Sequence, residues 1–426
     1  VLFLDFKIRS VKAREVLDSR GNPTIAANLR TKDCCITSIV PSGASTGIHE
    51  ALELRDNDKK RYDGKGVLKA IANVNRIISK KVIGMDCRKQ MEIDNFLIEL
   101  DGTENKSNLG ANAILAVSMA ACKAGACCSD KSLYEHIQKL ANNKKLLLPV
   151  PQMNVINGGR HAGIDNDIQE YMIMPVGFKK FSDALRAGVE TYQSLKKNLR
   201  IKYNSKETLL GDEGGFSPHV LSIEKRLELI TESIKEAGYD GKIKLALDCA
   251  ASEFYDEKNQ KYTIINKKYD SMQLLDFYKH LIKKFQIISI EDGFSQDDWQ
   301  GWSYFNRQLG SKIQIVGDDL LVTNIRRIKN AIEHNSCNAL LLKVNQIGTV
   351  TESIDAANIS FKNKWNVVVS HRSGETEDTF IADLAVGLGA SQSKFGAPAR
   401  SERTAKYNRL LRIEEKLGNK ARFARL

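Results

Sequence analysis

Lys242-Ile-Lys-Leu-Ala-Leu-Asp248, Gln286-Ile-Ile-Ser-Ile-Glu291, Lys312-Ile-Gln-Ile-Val-Gly-Asp318, Asn338-Ala-Leu-Leu-Leu-Lys343 and Trp365-Asn-Val-Val-Val-Ser-His371 repeat one pattern, a short apolar run ending on a charged or hydrogen-bonding side chain. The end residues are 43, 27, 25 and 28 positions apart. Such gaps leave room for a crossover helix between successive parallel strands, the beat of a (β/α) barrel. In a barrel the C-terminal strand ends share one mouth, so three carboxylates, a lysine and a histidine would meet in one cavity. Ser391-Gln-Ser-Lys394-Phe-Gly396 lies at the expected eighth strand end and adds a second lysine.

Upstream, segments 150–156 and 168–175 read as strands, and 181–203 and 222–237 as helices. The barrel is therefore expected to open strand–strand–helix–helix before the regular alternation. The first portion differs. Strand patterns at 7–14, 24–30 and 36–40 precede helical periodicity at 66–80, 88–100 and 110–126, an α+β arrangement. The third helix, which opens Gly110-Ala-Asn-Ala-Ile-Leu-Ala-Val-Ser-Met-Ala-Ala121, is apolar on nearly every face, as a buried helix should be. A polar connector, Ala141-Asn-Asn-Lys-Lys145, sets the expected boundary between an α+β domain at 1–145 and a barrel domain at 146–426.

The 426 residues are 42% hydrophobic and 27% charged, the balance of a globular chain with a sizeable core. No apolar run is expected to reach the 18 or so residues of a membrane helix, and Val1-Leu-Phe-Leu-Asp-Phe6 is too short and lacks the basic flank of a signal peptide. The eight cysteines include the adjacent pairs Cys34-Cys35 and Cys127-Cys128 but no Cys-x-x-Cys. They suggest neither a disulfide framework nor a zinc ribbon, and point to a reducing, cytoplasmic setting. A net charge of +12 is carried by scattered doublets such as Lys59-Lys60 and Lys283-Lys284. Without a basic tract or a recognisable module, no nucleic-acid partner is expected.

Asp248, Glu291 and Asp318 are all-oxygen donors, suited to a hard cation such as Mg²⁺ rather than Zn²⁺. Each alone could equally cap a helix or pair with a lysine; three at equivalent strand ends favour a metal. Lys343 and Lys394 are each open to two roles, base or ion-pair partner; a nearby divalent cation would depress a lysine toward a base. Leu210-Gly-Asp-Glu213-Gly-Gly-Phe216 places acids on a glycine-flanked turn. Pro41-Ser-Gly-Ala-Ser45-Thr-Gly-Ile-His-Glu50 is a small-residue loop fit to close over a site, or a plain hairpin turn. His371-Arg372-Ser373-Gly374 offers a cation, a guanidinium and a hydroxyl, a clamp for phosphate or carboxylate. Together these residues describe a metal-assisted acid–base enzyme acting on a small anion.

The same residues sit in longer stretches: Ala13-Arg-Glu-Val-Leu-Asp-Ser-Arg-Gly-Asn-Pro-Thr24, Ser42-Gly-Ala-Ser-Thr-Gly-Ile-His-Glu-Ala-Leu-Glu-Leu-Arg-Asp56, Leu109-Gly-Ala-Asn-Ala-Ile-Leu115, Gly211-Asp-Glu-Gly-Gly215, Leu342-Lys-Val-Asn-Gln-Ile-Gly-Thr349, His371-Arg-Ser-Gly-Glu-Thr-Glu-Asp-Thr379 and Gly396-Ala-Pro-Ala-Arg-Ser-Glu-Arg403. Over nearly its whole length the chain resembles the enolases, as a divergent member. The resemblance implies a ββαα(βα)6 barrel and reversible dehydration of 2-phosphoglycerate to phosphoenolpyruvate in glycolysis and gluconeogenesis. It also implies two Mg²⁺ ions per site and a cytoplasmic homodimer. By the same resemblance Lys343 takes the C2 proton, while Glu213, supported by Glu170, assists loss of the C3 hydroxyl. Asp248, Glu291 and Asp318 hold the first Mg²⁺ and Ser45 the second. Lys394 meets the substrate carboxylate, Arg372 and Ser373 its phosphate, and His161, Gln169 and His371 line the pocket.

Several positions depart from the pattern. Arg160 precedes His161, and Gly163-Ile-Asp165-Asn-Asp167-Ile replaces a largely small or apolar stretch. The two acids would either repel a phosphorylated substrate and slow closure, or face solvent with Arg160 compensating. Gly293 and Ile325 stand where proline is usual, the glycine loosening a metal-bearing strand end. Ala26 lacks the acid expected to pair with Arg412 across a dimer, which would weaken it. A non-catalytic descendant and another metal-dependent lyase or racemase of the superfamily are the competing readings. Intact ligand positions weigh against the first, and the serine loop and His-Arg-Ser-Gly-Glu-Thr run against the second.

Overall fold

The apolar runs pair into a closed barrel of eight strands: Val150–Asn157, Glu170–Pro175, Ile243–Asp248, Ile287–Glu291, Gln314–Gly317, Ala339–Leu342, Asn366–Ser370 and Gln392–Lys394, here numbered one to eight. The structure is a computed structural model describing residues 6–43 and 47–426, with every side chain among them except those of residues 161 and 205. Helices Phe181–Lys202 and Ile223–Glu236 follow strand two, giving the strand–strand–helix–helix opening. Strand two runs antiparallel to both neighbours, and all other barrel pairs are parallel. The reversal brings the first residue of strand two to the mouth where the others end, so Glu170 pairs in register with Asn157 and with Asp248.

The 43-residue gap after Asp248 holds more than a helix. A three-stranded antiparallel sheet, Tyr255–Asp256, Lys261–Ile264 and Lys267–Tyr269, precedes helix Ser271–Phe285. Strands of two to four residues leave no periodicity to detect, which is why the sequence did not betray them.

The N-terminal sheet is a meander of Ser10–Leu17, Pro23–Arg30 and Cys35–Ile39. Its helices are a run from Leu68 to Val82 with a π segment at Val74–Ile78, then Gln90–Asp101 and Ala111–Cys128. The last is 18 residues long with mean hydropathy 1.4, so one helix does reach membrane-span length, contrary to expectation. Its window is 83% buried inside the fold, packed on the second and third strands, as a core helix should be. Helix Leu133–Leu140 was not foreseen; Ser132 and Glu135 form its capping box. It packs on helix Phe380–Leu388, where Gly387 admits the neighbour: a Cβ there would lie 2.7 Å from Ile137 Cβ and from the Tyr134 carbonyl.

One cysteine expectation fails. Cys34 and Cys127, 93 residues apart, are joined by a disulfide. Spacing gives no hint of it, because the turn before strand Cys35–Ile39 meets the end of helix Ala111–Cys128 only through the tertiary fold.

The departing loop between strands one and two also resolves. Asp167 does not face a ligand. Its carboxylate lies 2.5 Å from Arg226 of helix Ile223–Glu236, with both side chains wholly buried. Arg226 further donates to the Tyr171 hydroxyl at 2.7 Å and the Val220 carbonyl at 2.5 Å. Gly158 makes room, since a Cβ there would stand 2.2 Å from the Ile168 carbonyl. Asp165 is exposed, and Arg160 pairs with Glu253 at 2.6 Å. The loop is thus latched to the barrel wall rather than charged toward the cavity.

Removing one partner of a buried ion pair strands the other. Arg226→Met is expected to lower unfolding stability by about 3–5 kcal/mol. The double change Asp167→Leu with Arg226→Met should recover most of that, as read from denaturant unfolding. His136 gives a second test. Burial lowers its pKa to about 4, so between that value and the usual histidine range the unfolded chain binds the extra proton. Stability should therefore fall as pH drops from 6.5 to 5, by about 2 kcal/mol from this group. Urea midpoints at the two pH values should lie closer together in His136→Gln.

Candidate active site

Each barrel strand except the reversed second delivers its last residue, or the one just after it, to the mouth. Asp248 and Glu291 end strands three and four, Asp318, Lys343 and His371 directly follow strands five, six and seven, and Lys394 ends strand eight. Glu170 joins them from the reversed strand two, and Glu213 comes from the turn at 211–215. Apolar residues at alternate positions are packed in the core, which fixes the register and leaves the polar ends converging. All of these polar residues except Glu291 line one cavity, with Gln169, Arg372 and Ser373 on its wall.

The acids and lysines neutralise one another. Lys394 Nζ lies 2.7 Å from Asp248, 2.8 Å from Glu291 and 3.3 Å from Glu170, and Lys343 Nζ lies 2.5 Å from Asp318. Burial alone would strip the charge from Lys394, but Asp248, Glu170 and Glu291 hold its pKa well above the ordinary lysine value. Lys343 is likewise raised: burial opposes its charge, and Asp318 outweighs burial. Of the two roles the sequence left open, base or ion-pair partner, Lys343 here stands as the ion-pair partner of Asp318. Glu291 is pushed well up, first by burial and then by Asp248, whereas Lys343 carries Asp318 down against the cost of burial.

These acids suit a hard cation. Lys394 bridges Asp248 and Glu291 as a cation would, and Glu291 Oε2 is buried with no hydrogen-bond partner among the described residues. A tighter acidic group, with oxygens mutually within 4.8 Å, is Asp292, Asp318 and Asp319. Asp292 has other work, however. It accepts from the Asp318 and Asp319 amides at 2.9 and 2.8 Å, which fixes the turn that presents Asp318. Asp319 is raised to about 7 by burial and by Asp318.

On the facing wall, burial and then Glu213 hold the Glu170 carboxyl well above the usual range, which favours a proton shared on this pair. Asn154 donates to Glu213 at 3.1 Å. His371 Nε2 lies 3.3 Å from Glu213, while Arg403 donates to its Nδ1 at 2.6 Å. Since arginine only donates, Nδ1 accepts and Nε2 carries the hydrogen toward Glu213. Burial lowers His371 to about 4, leaving it a neutral donor. Arg372 is held by Glu50 at 2.9 Å and by Asn345 at 3.2 Å. Ser373 is buried, and its carbonyl accepts from Arg403 at 2.6 Å. Ser45 and the His161 side chain, both expected here, lie outside the described residues.

Glu50, Asp292, Asp319 and Arg403 were not singled out by the sequence. Glu50 ends the serine-loop motif and the two aspartates adjoin named residues, which was the available signal. Arg403 ends the quoted Gly396–Arg403 stretch, but only the fold shows that the terminal helix Ser401–Leu417 lies behind His371. The departures at the mouth have structural reasons. Gly293 is demanded by Phe305, 2.8 Å from where a Cβ would be, and its carbonyl accepts from Tyr278 at 2.9 Å, so that strand end is packed rather than loosened. Ile325 is the first residue of a helix capped by Asn324, a place proline favours but does not need. Ala26 is buried within the sheet and Arg412 is exposed. Behind Lys343, Val322 and Thr323 adopt φ of 42° and 56°, a region β-branched residues avoid. There Thr323 Oγ1 accepts from the Lys343 amide at 3.0 Å and donates to Gln346 at 2.9 Å.

Two family models match the chain. Residues 8–137 match the N-terminal domain of enolase, and residues 145–425 its C-terminal TIM barrel domain. With barrel, reversed second strand and acid–lysine mouth all in place, the chain belongs to the enolase family.

Proposed function

We propose that the chain is a hydro-lyase, a phosphopyruvate hydratase that interconverts 2-phosphoglycerate and phosphoenolpyruvate. The observation that carries this reading is the convergence of Lys343 and the Glu170–Glu213 pair on opposite walls of one buried cavity. A base and a protonated acid pair on facing walls suit removal of a proton from one carbon and of hydroxide from the next. Lys343 takes the C2 proton at Nζ. To do so it must lose its hold on Asp318, after which Arg372 and Lys394 both press its pKa downward. The Glu170–Glu213 pair delivers a proton to the departing C3 hydroxyl, and neutral His371 orients Glu213 through Nε2. Lys394 receives the substrate carboxylate. Arg372 exchanges Glu50 for the phosphate, a stronger bidentate partner, with Ser373 beside it. Gln169 completes the wall, and the family resemblance would add His161.

Asp248, Glu291 and Asp318 would hold a first Mg²⁺, and on the family resemblance Ser45 would contribute to a second; such ions would supply positive charge against the negative charge that develops on the substrate carboxylate. On the family resemblance the reaction belongs to glycolysis and gluconeogenesis in the cytoplasm. The working form is a homodimer, weakened by Ala26, built from domains at 1–145 and 146–426.

Purified protein given 2-phosphoglycerate and Mg²⁺ should show rising absorbance from phosphoenolpyruvate, and chelation should abolish it. Lys343→Ala should retain the fold and lose about 10²–10⁴-fold in kcat. A folded wild-type protein that binds Mg²⁺ and makes no product would overturn the proposal in favour of a non-catalytic descendant. The Asp167–Arg226 latch bears on the same assay. Because Asp167 faces Arg226, its charge should leave the KM for the phosphorylated substrate nearly independent of ionic screening at that loop. The exposed Asp165 predicts a change of less than about threefold in KM for Asp165→Asn, since screened surface charges act weakly.

A further inference from the structure

The two adjacent cysteine pairs meet in space, away from the barrel mouth. Cys34 sits in the turn after strand Pro23–Arg30, organised by Thr31: the Thr31 amide donates to the Cys34 carbonyl at 2.9 Å, and the Cys34 amide donates to Thr31 Oγ1 at 3.0 Å. Helix Ala111–Cys128 ends against this turn with two successive cysteines. Cys127 is bonded to Cys34, and Cys128 Sγ lies 3.7 Å from Cys34 Sγ, with Thr31 Oγ1 3.4 Å away. Cys34 and Cys128 are partly exposed and Cys127 is exposed, so the cluster lies at the surface. Cys87, behind them, is buried and pushed up to about 12, first by burial and then by Cys128, and stays a thiol.

We propose that Cys34, Cys127 and Cys128 form a thiol–disulfide exchange site in which Cys34 is the central sulfur and its bond passes between the two helix-end cysteines. The Cys128 thiolate attacks Cys34 Sγ, a Cys34–Cys128 bond forms and the Cys34–Cys127 bond breaks. Cys127 leaves as a thiolate and takes from solvent the proton that Cys128 gave up, so the exchange needs no oxidant. The co-substrate that makes the cross-link is a low-molecular-weight disulfide, and two molecules of the corresponding small thiol remove it by the reverse steps. The Cys34 thiolate attacks it and releases one small thiol. Cys127 or Cys128 then attacks the mixed disulfide at Cys34 and releases the second. Two cysteines are oxidised and the small disulfide is reduced to two thiols.

The test uses the full chain equilibrated in mixed reduced and oxidised glutathione, quenched with acid, alkylated, and mapped by fragmentation between residues 127 and 128. The wild type should give both Cys34–Cys127 and Cys34–Cys128 cross-links. Cys127→Ser should move the whole cross-link to Cys128, Cys128→Ser should leave only Cys34–Cys127, and Cys34→Ser should lose both. These side chains lie at the surface, and a melting curve for each variant verifies the fold. A Cys127→Ser protein whose Cys34 and Cys128 remain thiols or carry only glutathione would overturn the proposal. So would a wild type that yields Cys34–Cys127 alone, or no cross-link at all.

Discussion

Everything at the barrel mouth depends on burying several carboxylates within reach of one another. Ionised and unpartnered, such a group would be prohibitively costly in a dry interior. Two ammonium groups make it tenable. Lys394 serves Asp248, Glu291 and Glu170, while Lys343 serves Asp318. The residual imbalance appears as a shared proton on the Glu170–Glu213 pair and as upward-shifted acids at Asp292 and Asp319. The interior charge a hard cation would meet is therefore held in readiness by the protein's own lysines.

The architecture serves this balance. Seven strands bring a polar residue to the mouth at their C-terminal ends, and the reversed strand brings Glu170 by its N-terminal end, so acids arrive from both directions of chain travel. The second set of contacts keeps them still. Arg403 orders His371, Asp292 ties down the Asp318–Asp319 turn, and Gln346 donates to Asp318 at 2.9 Å. The loop between strands one and two is held from outside the cavity by Arg226, which leaves Gln169 and Glu170 on a fixed wall.

Most of this was legible because the signal was periodic. Apolar runs of strand length ending in polar residues gave the barrel, and their gaps gave the crossovers. The site followed, since strand ends in a barrel share one mouth. What escaped had no local signature. The short sheet at 255–269 is too brief for alternation. Arg403, Arg226 and the Cys34–Cys127 bond act across long separations that only the closed fold supplies. Asp167 was seen as a charge but not as half of a pair, because its partner lies 59 residues away on a helix. Gly293 was taken for looseness, when Phe305 fills the space that a side chain would need.

The left-handed backbone at Val322 and Thr323 has a consequence for how this protein would fail. Residues held in that region cost of order 1–3 kcal/mol each and persist only while the surroundings over-determine them. The stored energy sits directly behind Lys343, through the Thr323 hydroxyl and the Lys343 amide. Both side chains are fully buried, so the strain persists only while their packing does. A substitution that loosened this packing would shift the Lys343 amide first, ahead of the strands around it.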